Sequence, residues 1–174
     1  MTKKNILSVR VSDSIKEDIQ IESEMNGSTL NTLMSQIVTK HIRWDRFAED
    51  IGFIFLTKQC VRTILEHVDD KVIRDIATTT CRASMRDAVI FIKGNESLDN
   101  FLEVIDLWFN ASHIPFRHMT VRGENRYVIQ HDFGRKWSLY IVSVINSLST
   151  EMGFKMKNQK INDHSAFFDI LVSH

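Results

Sequence analysis

Proline and cysteine are almost missing from this chain, with one proline, two cysteines and six glycines in 174 residues. No proline- or glycine-rich linker divides it, and Pro115 stands alone. Cys60 and Cys81 lie far apart in sequence, which excludes the dense disulfide framework of small secreted domains. Their apolar surroundings predict two buried thiols. No apolar stretch is long enough to span a bilayer. Met1-Thr2-Lys3-Lys4 leads into an alternating segment and not into a signal run. The expected compartment is the cytoplasm, with no membrane partner. An excess of one charge is also lacking, since 22 basic residues face 22 acidic ones. That excludes a sequence-independent nucleic-acid coat, whose affinity comes from neutralising phosphates, but leaves room for a small reader with few, well-placed cations.

What is present is ordinary globular composition, 43% hydrophobic and 25% charged, long enough for one domain or two small ones. Residues 6–11 alternate: Leu7, Val9 and Val11 share one face of an extended strand, and Ile6, Ser8 and Arg10 the other. Ser12 offers an N-cap, with Asp13 and Glu17 at the positive end of the helix that follows. Ile15, Ile19 and Met25 continue along one helical side until Asn26-Gly27. Ser28-Thr29 offers a second cap before the stripe of Leu30, Leu33, Met34, Ile37, Val38 and His41 or Ile42.

One strand and two helices in about forty residues cannot close a core. A lone strand edge is satisfied by pairing with its copy about a two-fold axis, and such a two-stranded ribbon fits the DNA major groove. Val9-Arg10-Val11-Ser12-Asp13-Ser14-Ile15 and Asn26-Gly27-Ser28-Thr29-Leu30-Asn31 resemble the Arc- and MetJ-type ribbon–helix–helix repressors over about residues 5–44. The resemblance implies a dimeric domain at 1–46, with Ile6, Ser8 and Arg10 at the base-reading positions of the strand. It places Ser28, Thr29 and Asn31 at a phosphate-anchoring helix start. Ile6 departs from the family, which usually places a polar or basic reader there. Residues 1–46 carry seven cations against six acids. Lys3, Lys4 and Arg10 gather at the strand, while most acids lie on the first helix.

Residues 47–174 form the second expected domain. The apolar run 51–56 fits a strand or a buried helix equally well. Thr57 caps a helix to His67; Val72, Ile76, Ala83, Ala88 and Ile92 mark a long helix ending near Gly94; Ser97 caps another. At 116–122 and 126–132 the period changes to two around Gly123-Glu124-Asn125, a β-hairpin. A helix from Gly134 to Met152 precedes a second hairpin around Asn162-Asp163-His164. The expected fold is therefore a ribbon–helix–helix followed by an α+β domain with helices and an antiparallel ββαββ sheet. The stretch from Tyr127 through His131 and Gly134 to Trp137 and Ser138 resembles, in layout, a ligand-sensing superfamily. That superfamily includes vinyl-reductase-like and haem-nitric-oxide-binding domains. It implies a small-molecule effector pocket between sheet and helices.

Several constellations carry residue types that chemistry could use. Asp132-Phe133-Gly134 copies a kinase signature without the glycine-rich or catalytic-loop motifs. His131-Asp132 lacks the further His and Asp residues of a metal phosphohydrolase. His113, His118 and His131, with Cys81, form a donor set that would suit Ni, Cu or Zn if they converge; scattered, hydrogen-bonded histidines are the competing reading. Trp108, Phe109, Phe116, Phe133, Trp137 and Tyr140 fit a core better than a ligand cage. Arg135-Lys136 with Arg117, Arg122 and Arg126 forms a second basic region, for an anionic effector, flanking DNA or solvent. No enzyme and no resident cofactor are expected. The function expected is a sequence-specific transcriptional regulator on double-stranded DNA, a homodimer or higher even oligomer, using a β-ribbon and a sensing or assembly domain. The competing class is an antitoxin-like or scaffold protein in which the ribbon serves only dimerisation.

Overall fold

A computed structural model describes residues 8–172, which divide into two units between Ile42 and Arg43. In the first unit, α1 (Asp13–Met25) and α2 (Leu30–Lys40) are both started by hydroxyl caps. Ser12 Oγ accepts from the Ile15 amide at 3.4 Å, and Thr29 Oγ1 from the Thr32 amide at 3.1 Å. Each satisfies an amide that the first helical turn leaves without a carbonyl. Gly27 (φ +60°) makes the turn between them. This unit buries very little: among its described residues only Ser23 and Leu33 are withdrawn from solvent.

The expected N-terminal ribbon needs correction. Residues 8–12 form no strand, the first regular element is α1, and all four strands of the described residues lie toward the C-terminus. Residues 8–11 alternate as a strand would, but alternation describes side chains, whereas a strand is held by a hydrogen-bonded neighbour. None is present in the described part of the unit, so the segment runs as irregular backbone into Ser12.

The unit boundary falls within a π-helical turn, His41–Asp45, and in the second unit Trp44 lies in the core with the Phe53 ring 5.0 Å away. After α3 (Arg46–Ile51) and Gly52 comes a loop whose residues Ile54, Phe55 and Leu56 are exposed, Phe55 completely. The apolar run at 51–56 is thus neither strand nor buried helix. Then follow α4 (Lys58–Glu66), α5 (Asp70–Ile76), a second π-helical turn (Ala77–Cys81), α6 (Arg82–Lys93) and α7 (Leu98–Ala111). Thr57 and Ser97 cap α4 and α7. Lys136 Nζ donates to the carbonyls of Glu66, the last residue of α4, and of Val68 beyond it.

Two hairpins flank the last helix: β1 (Phe116–Val121) with β2 (Glu124–Gln130), then α8 (Arg135–Glu151), then β3 (Phe154–Ile161) with β4 (Ser165–Val172). They join in one antiparallel sheet of order β1-β2-β4-β3. Helix α8 is buried nearly all round because it lies between the sheet on one side and α5 and α6 on the other. Tyr127, Ile129, Phe168 and Ile170 turn inward from the sheet and are fully buried. The opposite face of the sheet carries Arg126, Val128, Phe167 and Leu171, none of which is buried. Among the described residues no helix is long and apolar enough to cross a membrane.

Candidate functional site

Of the expected DNA-contact residues, Lys3, Lys4 and Ile6 lie outside the described residues. Ser8 and Arg10 are exposed ahead of α1. Ser28, Thr29 and Asn31 stand together at the start of α2, about the turn at Gly27. Their hydroxyls are partly engaged: Ser28 Oγ donates to the Ser23 carbonyl at 3.4 Å, and Thr29 caps the helix. Arg10 is the one cation in the described residues ahead of α1. In the same unit Val9, Val11, Ile15, Ile21, Ile37, Val38 and Ile42 are exposed.

The four candidate metal donors are not brought together. His113 occupies a left-handed position (φ +52°) in the exposed turn after α7, while Cys81 ends the second π-helical turn. No group of three or more His, Cys, Asp or Glu residues among the described residues can hold a metal ion. His118, on β1, is engaged elsewhere. Its Nδ1 lies 2.9 Å from Asp106 Oδ2 and its Nε2 3.3 Å from Asn125 Oδ1, with the ring stacked 4.3 Å from that of Tyr127. The Tyr127 hydroxyl donates to Asp106 Oδ1 at 2.8 Å. Burial first, then the Asp106 carboxylate, pushes this phenol far above its ordinary value, so it stays a donor.

His131 closes a different cluster. Its Nε2 is 2.6 Å from Ser138 Oγ, and its Nδ1 accepts from the Phe133 amide at 3.3 Å. Ser138 Oγ in turn donates to the Asn162 carbonyl at 2.8 Å. These contacts assign the proton to Nε2, because Nδ1 faces a donor. The serine hydrogen is then committed to a carbonyl, and the imidazole offers Ser138 a donor, not a base. A Ser–His pair wired this way does not generate a nucleophile. It is a latch joining the end of β2, the first turn of α8 and the β3–β4 turn, reinforced by the bond from the His131 amide to the His164 carbonyl.

The six aromatics pack as core. Phe109, Phe133 and Trp137 are buried, with Trp108, Phe116 and Tyr140 packed against them. The space between sheet and helices, where the effector pocket was expected, is occupied by Phe109, Tyr127 and Phe168, with Tyr127 and Phe168 ring centroids 5.2 Å apart. Cys60 is exposed and Cys81 half-buried, contrary to the expectation of two buried thiols. A helix amphipathic in sequence still turns some apolar residues outward. In the second basic region, Arg135 pairs with Asp70, Lys136 holds the end of α4 and Arg126 grips Asp169. Arg117 and Arg122 have no ion-pair partner among the described residues.

Sequence reasoning missed Asp169, Asn158 and the lysines of β3. Asp169 is fully buried, yet it accepts from Arg126 Nε at 2.8 Å and from Asn158 Nδ2 at 2.7 Å. Hydrogen bonding from Arg126, the largest influence, holds its carboxyl below the usual range. The available signal was the lone charge at 169 in an otherwise apolar strand and the run of lysines at 155, 157 and 160. Compared with known proteins, the chain matches no family model, no curated protein and no solved structure.

Proposed function

We propose that this chain is a DNA-binding transcriptional regulator of the cytoplasm that works as a homodimer, or a higher even oligomer built from it, through its N-terminal unit. The second unit sets the spacing of the readers by assembly or by responding to an effector. The observation that carries the reading is the first unit's exposed apolar side chains, Ile15, Ile37, Val38 and Ile42 among them, against a buried interior of Leu33 and Ser23. A module of about forty residues with so little core gains stability by association, and a second copy supplies the same side chains about a two-fold axis. The resemblance of 9–15 and 26–31 to DNA-binding repressors supports DNA as the target. Arg10, Ser28, Thr29 and Asn31 are the proposed contacts.

The test is enrichment of random duplex oligonucleotides on the full chain. A palindromic site is expected, and Arg10→Ala loses specific binding while retaining wild-type circular dichroism and sedimentation. Equal operator affinity in Arg10→Ala, or no enriched site, overturns the DNA assignment. The same exposed side chains also favour a second reading, an antitoxin-like or scaffold protein. A stable dimer with no selected duplex is its signature.

A further inference from the structure

The strands hold five basic residues besides His118, namely Arg117, Arg126, Lys155, Lys157 and Lys160, and two acidic ones, Glu124 and Asp169. In a chain with equal numbers of acids and bases, that is a local concentration of positive charge. Strand alternation and cross-strand pairing place all seven on the face turned away from the helices. Arg117 pairs with Val128, Lys160 with Phe167, and Lys155 with Leu171. Both acids are neutralised in place, Asp169 by Arg126 and Glu124 by Lys157. Arg117, Lys155 and Lys160 have no acidic partner among the described residues. At the β1–β2 end, Arg122 joins Val121, Glu124 and Arg126 around a recess of about 330 Å³.

Between these cations runs an apolar strip. Phe167 stands on the central strand β4 with its ring part-exposed, Val128 lies beside it, and Leu171 lies further along β4. The Arg126 guanidinium is 5.2 Å from the Phe167 ring centroid and is fixed there by its two bonds to Asp169. The face thus presents an aromatic–guanidinium platform rimmed by Arg117, Lys155 and Lys160, which have no acidic partner among the described residues.

We infer that this open sheet face binds single-stranded nucleic acid, with phosphates on Arg117, Arg122, Lys155 and Lys160 and bases against Phe167 and its apolar neighbours. Charge complementarity selects a polyanion, and the platform selects one whose repeating units have planar apolar faces. A second copy docked face to face would set like charges against each other. The inference is independent of the DNA contacts proposed for the N-terminal unit.

The test is fluorescence anisotropy of the full chain with labelled single strands of about 12 nucleotides, as DNA and as RNA. Comparison ligands are the same sequence as duplex, inorganic polyphosphate and anionic phosphatidylserine vesicles. Three or four phosphate contacts predict a twentyfold to fiftyfold loss of affinity between about 50 and about 200 mM salt. Phe167→Ala is expected to weaken single-strand binding about tenfold and Lys155→Glu/Lys160→Glu by at least about tenfold. Both variants should keep the wild-type thermal transition, and Arg10→Ala should bind single strands normally. No single-strand binding at the lower salt overturns the inference, as does wild-type affinity in the lysine pair, which lies on the surface and leaves the core intact. Polyphosphate or vesicles competing as well as the oligonucleotide, with Phe167→Ala inert, also overturn it. Failure to enrich a duplex site bears on the N-terminal unit alone.

Discussion

His131 is held in one protonation state by its neighbours. The Phe133 amide points at Nδ1, so adding a proton there would set donor against donor. Burial, with a smaller contribution from His164 and against the opposing pull of Asp132, lowers this imidazole from 6.5 to about 4. Between those values the unfolded chain takes up a proton that the folded chain does not. The stability contributed by His131 is therefore complete above about pH 6.5 and is lost as the pH falls toward 4. The full change is on the order of 3 kcal/mol. Urea denaturation from pH 7 to pH 4.5 should show this slope in the wild type, and His131→Gln should flatten it. Asp169 and Glu103 do not mask it: hydrogen bonds from Arg126 and Lys93 hold their carboxyls low, so they lose stability at more acidic pH.

At the scale of elements, Asp169 ties three strands together. The β3–β4 register shifts between Lys157 and Lys160, and Asn158 at the bulge adopts φ +56°, a conformation asparagine tolerates better than most residues. Its amide bonds Asp169, which Arg126 on β2 grips from the other side. Asp169→Ala leaves the Asn158 amide without its acceptor and the Arg126 guanidinium without its counter-charge, and should lower stability. The expected signature is a lower denaturation midpoint with an unchanged slope against denaturant. Local signals were legible in the sequence at this scale. Ser12, Thr29, Thr57 and Ser97 cap their helices as their position before apolar-periodic runs indicated, and period-two alternation marked where the hairpins form. Nonlocal events were not legible. The Asp169–Arg126 grip and the His118–Asp106–Tyr127 cluster join residues from separate elements, and no spacing rule connects them. The π-helical turn at Ala77–Cys81 was invisible because an inserted residue shifts the apolar phase without interrupting it. The misread ribbon is the same lesson from the other side, because alternation at 8–11 carried no information about a partner strand.

For the whole molecule, the contrast between a second unit with a continuous core and a first unit with almost none sets the expected assembly. If the first unit is completed by a second copy, a charge in its apolar stripe should abolish assembly without unfolding the second unit. Val38→Asp is expected to sediment as a monomer where the wild type is a dimer, with the helical and aromatic circular dichroism of the second unit retained. A wild type that is monomeric at tens of micromolar, or a Val38→Asp variant that still dimerises, contradicts this. The loop at 53–56 has a separate consequence. Ile54, Phe55 and Leu56 stand in solvent on backbone outside any helix or strand, the form in which proteases and chaperones meet an unfolded chain. Limited proteolysis of the native protein is therefore expected to cut within this segment before the helices and strands on either side of it.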